Sequence, residues 1–126
     1  MTHRPERDGS ATTSAHVPYY LALEVAALAW ARLLDECGHG LLTAGDMAVV
    51  RTEFDFRREL FTGFLDAEVD IASIGRSSVA FAVALHQHDQ LAATGTTVVA
   101  RTDEARLLAV PLSPEQRAML ESLVRA

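Results

Sequence analysis

Residues 17–34 read VPYYLALEVAALAWARLL. One carboxylate, Glu24, sits near the middle of the run, and the next charge is Arg32. A stretch of ~18 apolar residues is long enough to cross a bilayer. A carboxylate at its centre would be costly in lipid, however, and the run starts too far from residue 1, without a basic flank, for a signal peptide. The pattern therefore predicts a buried helix of a protein that does not enter a membrane. Pro18 suits the first helical turn, where a missing N–H costs nothing. Gly38 and Gly40 predict the stop, at about Cys37. Tyr20, Leu21, Leu28 and Trp30 predict a helix covered on most sides, with Arg32, Asp35 and Glu36 emerging into water.

Beyond this helix the period shortens to two. In VVRTEFDFRR, Val50, Thr52, Phe54 and Phe56 alternate with Arg51, Glu53, Asp55 and Arg57, which predicts a strand with one wet face. In FLDAEVDIASIG, Leu65, Ala67, Val69 and Ile71 alternate with Asp66, Glu68 and Asp70. In SVAFAVALHQH, large apolar residues alternate with alanines, and Asp89-Gln90 predicts a tight turn into LAATGTTVVART. Strands at near-regular spacing imply an antiparallel meander. Its alanine and threonine faces look neither core-like nor solvated, as if a helix or another subunit lay on them. The chain closes with LSPEQRAMLESLV, where Ser113, Pro114 and Gln116 predict an N-cap, a first helical residue and a capping box. Residues 1–15, without an apolar period, read as a tail or a degenerate first strand, leaving 16–126 as one domain. The fold class is α+β: a long central helix wrapped by a curved antiparallel sheet, with a short C-terminal helix.

Composition narrows the function. The chain has 126 residues, 49% of them hydrophobic, and a net charge of −6. That is enough apolar material for a core, although a domain of this size gains by oligomerising. With no Lys/Arg cluster, nucleic acid is not an expected partner. The single Cys37 excludes an intrachain disulfide framework and fits a reducing, cytoplasmic compartment. His86, His88 and Asp89 lack a third ligand at suitable spacing, so no metal is expected.

This order of elements, with specific stretches in it, resembles the hotdog-fold acyl-CoA thioesterases of the 4-hydroxybenzoyl-CoA thioesterase-like type. His16-Val17 opening the helix, Tyr20-Leu21 followed by Glu24, RTEFDFRREL, FTGFLDAEVDIASIGRSSVAF around Gly75-Arg76-Ser77-Ser78, LAATGTTVVARTD and the Pro111 region carry the likeness, over residues 16–112. The resemblance implies hydrolysis of an acyl thioester at a subunit interface near the helix start. It also implies a homodimer or dimer of dimers whose sheets join edge to edge. No cofactor is implied; coenzyme A enters as part of the substrate. The amides around Val17, Tyr19 and Tyr20 would hold the thioester oxygen as charge develops on it, because N–H groups at a helix start lack intrahelical partners. Arg76, Ser77 and Ser78 would bind the pantetheine or phosphate part of CoA, and Arg57 and Arg58 are further phosphate candidates.

The chain departs from the resemblance in one place. Many family members carry Asp-x-x-Gly-His-Val-Asn, whose Asp is the catalytic carboxylate. Here only His16-Val17 remains, Pro18 stands where Asn is expected, and the nearest preceding acid is Asp8. Glu24 is the substitute, since a second branch of the family places its acid on the helix about two turns in. A carboxylate in apolar surroundings is a usable base. The competing reading has Glu24 hydrogen-bonding a polar group at the sheet. His16 would contact substrate or cap the helix. A non-catalytic hotdog protein that binds an acyl thioester or hydrophobic metabolite is the alternative function. Hydration or dehydration ranks last, because His16 has no nearby acidic partner.

Overall fold

The computed structural model describes residues 19–61 and 63–124, and the expectations placed on His16, Val17 and the 1–15 segment lie outside them. Helix α1 runs Tyr19–Cys37, followed by a 3-10 turn at Ala44–Asp46. Four strands follow, β1 Met47–Phe56, β2 Asp66–Ile74, β3 Ser78–Gln87 and β4 Gln90–Arg101, then helix α2 Pro114–Ser122. All pairings are antiparallel and the sheet order is β1-β4-β3-β2, so among the described residues β3 and β4 are central and β1 and β2 form the edges.

The period-2 reading of β3 is met residue by residue. Val79, Phe81, Val83 and Leu85 are buried, while Ala80, Ala82 and Ala84 on the other face are half-buried. The apolar set meets Ala22, Val25, Ala26, Trp30 and Leu34 of α1 in one core. Trp30 stacks on Phe81, with centroids 5.7 Å apart and planes 14° from parallel. The hairpin into β4 turns on His88 and Asp89, one residue earlier than expected. Both have positive φ, 55° and 59°, the conformation that a two-residue hairpin requires to match strand twist. The side chain of Gln87, buried at the end of β3, donates to the carbonyls of Phe61 and Phe64 and accepts from the Phe61 amide. It thereby holds the β1–β2 connection against the sheet.

The C-terminal helix starts as its capping box predicts. Ser113 Oγ accepts from the Gln116 amide at 3.1 Å, and Gln116 Oε1 accepts from the Ser113 amide at 2.9 Å. Gln116 is buried and also donates to the Leu41 carbonyl. The cap residue thus ties α2 to the loop that leaves α1.

Two expectations change. Among the described residues the sheet covers one face of helix α1, and on the other face Tyr20 is 47% and Leu28 51% exposed. The physical reason is that α1 packs on β2 and β3, and one sheet touches one side of a cylinder. For the same reason β1 has no dry face. Its apolar residues Val49, Val50 and Phe56 are exposed, because among the described residues no helix packs along that edge.

Gly95 allows the β1–β4 pair to form. It stands opposite Phe54, and a Cβ there would collide with the Glu53 carbonyl oxygen and the Phe54 ring. Gly95→Ala is expected to destabilise the fold by ~1–3 kcal/mol through overpacking, read as a lower midpoint in urea unfolding at unchanged slope. An unchanged midpoint would show that β1 yields without cost.

Candidate functional site

Residues four apart on a helix share a face. The sheet-facing row of α1 is Leu21, Ala22, Val25, Ala26, Ala29, Trp30 and Leu34, all buried. Tyr20, Glu24, Leu28 and Asp35 fall on the opposite side, where Tyr20, Leu28 and Asp35 are exposed. Glu24 is half-buried and its Oε2 is out of contact with solvent. The stripe that carries Glu24 thus lies opposite the sheet-facing row of α1. Two turns into α1, Glu24 stands four residues after Tyr20, and the first turn contains no acidic residue to compete for the positive end of the helix.

The other predicted cluster is built on the β2–β3 turn. The Gly75 amide donates to the Ser78 carbonyl at 2.8 Å, and the Gly75 carbonyl accepts from Arg117 Nη2 at 2.6 Å. The Arg76 and Ser77 carbonyls accept from the Leu112 and Arg101 amides. With its carbonyls engaged by the chain, the turn presents the Arg76 side chain outward, exposed and without an ion pair among the described residues. Ser77 and Ser78 are half-buried beside it. The pieces brought together are thus Tyr20 with Glu24 on one helix face, and Arg76 with Ser77 and Ser78 on one turn.

Arg57 and Arg58 are not brought to that turn. Their amides both donate to the Ala92 carbonyl near the start of β4, whereas Ser77 bonds Arg101 at its end. Nine residues of strand at ~3.3 Å each separate these points by roughly 30 Å. Within one chain the two basic groups cannot share a phosphate.

Sequence reasoning missed a cleft of about 770 Å³ between the second half of α1 and the outer part of the sheet. Arg32, Glu36, Asp66, Glu68, His86 and Asp89 give it its polar lining. His86 Nε2 lies 3.8 Å from Glu68 Oε2 across the β2–β3 pair. Only the register, which sets Asp66 opposite His86, puts these residues in one place, and no local motif announces it. Among the described residues no group of three or more His, Cys, Asp or Glu side chains could hold a metal ion, and no helix is long and apolar enough to cross a membrane.

Comparison with solved structures identifies the architecture. A thioesterase from Thermus thermophilus, solved with coenzyme A and zinc, superposes with a TM-score of 0.79 at 22% identity, over 97% of this chain and 91% of that one. This is a hotdog fold. The gentisyl-coenzyme A thioesterase BH1999 superposes at 0.73 with 13% identity, covering 94% of this chain and 97% of that one. The Escherichia coli protein YbaW, described as a probable thioesterase, superposes at 0.75 with 21% identity over 98% of each chain. No family model and no curated protein matches the sequence. At these identities the hotdog likeness establishes the fold, and the chemistry is argued from the residues.

Proposed function

We propose that this hotdog protein hydrolyses an acyl thioester, carried on coenzyme A or on a carrier protein, to a free acid and a thiol. It would do so as a homo-oligomer in the cytoplasm. The observation that carries the reading is the placement of Glu24: a half-buried carboxylate with its Oε2 out of contact with solvent, two turns into α1, on the side opposite the sheet-facing row. The hotdog neighbours named as thioesterases support it.

In this reading Glu24 takes a proton from water as the oxygen attacks the thioester carbon. Negative charge gathers on the carbonyl oxygen, where the amides of the α1 start, at Val17, Tyr19 and Tyr20, would stabilise it. The C–S bond then breaks, and the proton held by Glu24 passes to the departing sulfur. His16 would contact the substrate beside the helix start. Arg76, with Ser77 and Ser78, would hold the phosphate or pantetheine portion.

The test is a panel of acyl-CoA substrates assayed for free thiol. Turnover of at least one substrate is expected, and Arg76→Ala should raise KM by about tenfold with kcat little changed, the mark of lost uniform binding. Saturable acyl-CoA binding without turnover of any substrate would instead establish the second reading, a non-catalytic binding protein. That reading is motivated by the missing Asp-x-x-Gly-His-Val-Asn pattern.

A further inference from the structure

Between β4 and α2 the chain fixes two leucines in water. The Asp103 amide donates to the Leu108 carbonyl at 3.1 Å, and Asp103 Oδ1 accepts from the Leu107 and Leu108 amides at 2.9 and 3.4 Å. Arg106 holds a positive φ of 59°, a conformation that costs a non-glycine residue free energy. Its guanidinium donates to the carbonyls of Gly45 and Met47 at 2.7 and 2.8 Å. These bonds hold out Leu107, 80% exposed, and Leu108, 69% exposed. Ala109 and Pro111, also exposed, extend the apolar strip. An apolar tip already held in place binds a protein surface at a lower ordering cost than a loose one.

The strip leads to the Arg76 turn, where the Leu112 amide donates to the Arg76 carbonyl at 2.9 Å. Four residues of chain span at most ~14 Å, so Leu108 lies within that reach of Leu112. One protein interface, ~800 Å² on each partner, covers both the strip and the turn. The cations at this end are mostly engaged. Arg101 donates to the Pro111 carbonyl and Gln116 Oε1, Arg106 is held as above, and Arg117 donates to the Gly75 carbonyl. Arg76 is the guanidinium left for a ligand, beside Ser77 and Ser78. Coenzyme A ends in a nucleotide with a diphosphate and a further phosphate, which one arginine does not neutralise. Pantetheine on a carrier protein has a single phosphodiester, joined to a serine.

We propose that the acyl thioester arrives on a carrier protein, whose phosphodiester meets Arg76 and whose surface beside the modified serine docks on Leu107 and Leu108. That surface is apolar with carboxylates at its rim. Charge favours this end for it: the edge strand β2 carries only carboxylates on its outer face, Asp66, Glu68 and Asp70, and β1 carries both signs in Arg51, Glu53 and Asp55. An acidic partner is repelled along β2 and meets an open arginine at the turn. The assignment rests on the thioesterase reading for the identity of the site.

The experiment is calorimetry of the full chain with S-octyl thioethers, which cannot be hydrolysed, of 4′-phosphopantetheine, of coenzyme A and of two acidic acyl carrier proteins, one from fatty-acid and one from polyketide synthesis. The coenzyme A and phosphopantetheine ligands are expected to bind within about threefold of each other, and at least one carrier about tenfold more tightly than either. Leu107→Ser with Leu108→Ser should lower the carrier-to-coenzyme A affinity ratio by about tenfold. If that variant fails to fold by circular dichroism, the wild-type ranking of the ligands decides alone. Coenzyme A binding tenfold more tightly than phosphopantetheine, neither carrier binding more tightly than coenzyme A, or a folded double variant that keeps the carrier preference would each overturn the proposal. Turnover of the octanoyl thioesters separates the two readings. A carrier that binds tightly and is never hydrolysed removes the enzyme and leaves the dock, whereas hydrolysis of octanoyl-CoA without carrier preference removes the dock and leaves the enzyme.

Discussion

Glu24→Gln protein is expected to fold normally and to lose thioester hydrolysis, with kcat reduced by ~10²–10⁴-fold, the usual contribution of a positioned acid–base group. The amide keeps the size and hydrogen-bonding reach of the carboxylate but cannot accept a proton from water. Glu24 is half-buried and outside the sheet-facing row of α1, so the exchange leaves the core contacts of the helix in place. Two measurements check this together. Acyl-CoA binding, followed by calorimetry, should persist in the variant while thiol release disappears. Hydrolysis at the wild-type rate would dismiss Glu24 as the base and turn attention to the His86–Glu68 pair in the cleft beside α1. A variant that no longer binds substrate would make Glu24 a binding group instead.

The second large effect is on stability. Phe81→Ala is expected to cost ~3–5 kcal/mol, a large share of the ~5–15 kcal/mol that holds a domain together. Phe81 is fully buried at the middle of β3, between β2 and β4, with Trp30 of α1 stacked on its ring. Truncation leaves a cavity at the contact between helix and sheet, where neighbours on both sides are pinned by their own elements and collapse only partly. Trp30→Phe is the companion change. The indole Nε1 has no hydrogen-bond partner among the described residues, so the exchange removes volume but breaks no polar contact there and should cost less than half as much in urea unfolding. Equal losses for the two variants would mean that the stack, rather than the filling of the core by Phe81, carries the energy.

Individual elements show where local patterns suffice. The capping box Ser113-Pro114-Glu115-Gln116 needs only its own residues to start α2, and it does so. The alternation in SVAFAVALHQH depends only on the two-residue repeat of a strand, and every large apolar side chain of β3 points inward. The same rule misjudged β1. Its pattern is as regular as that of β3, yet neither face is dry, since dryness depends on whether a helix lies over the strand. Likewise, the composition of α1 implied cover on most sides, but one sheet buries one row.

The candidate site divides in the same way. Glu24 stood out because a lone carboxylate in an apolar run is costly to keep, and Arg76 because it follows a turn glycine. The cleft with His86 and Glu68 left no trace in local sequence, because strand register brings residues eighteen positions apart to one point.

For this chain, residue order alone settled the succession of helix, four strands and helix, together with the identity of the unusual carboxylate. Period and capping are written in contiguous residues and act over a few ångströms. Which face of α1 stays open, which edge of the sheet carries both charges, and how far Arg57 lies from Arg76 were decided only by the folded chain. Those properties arise where distant segments meet, and packing free energy, summed over the whole core, selects that meeting.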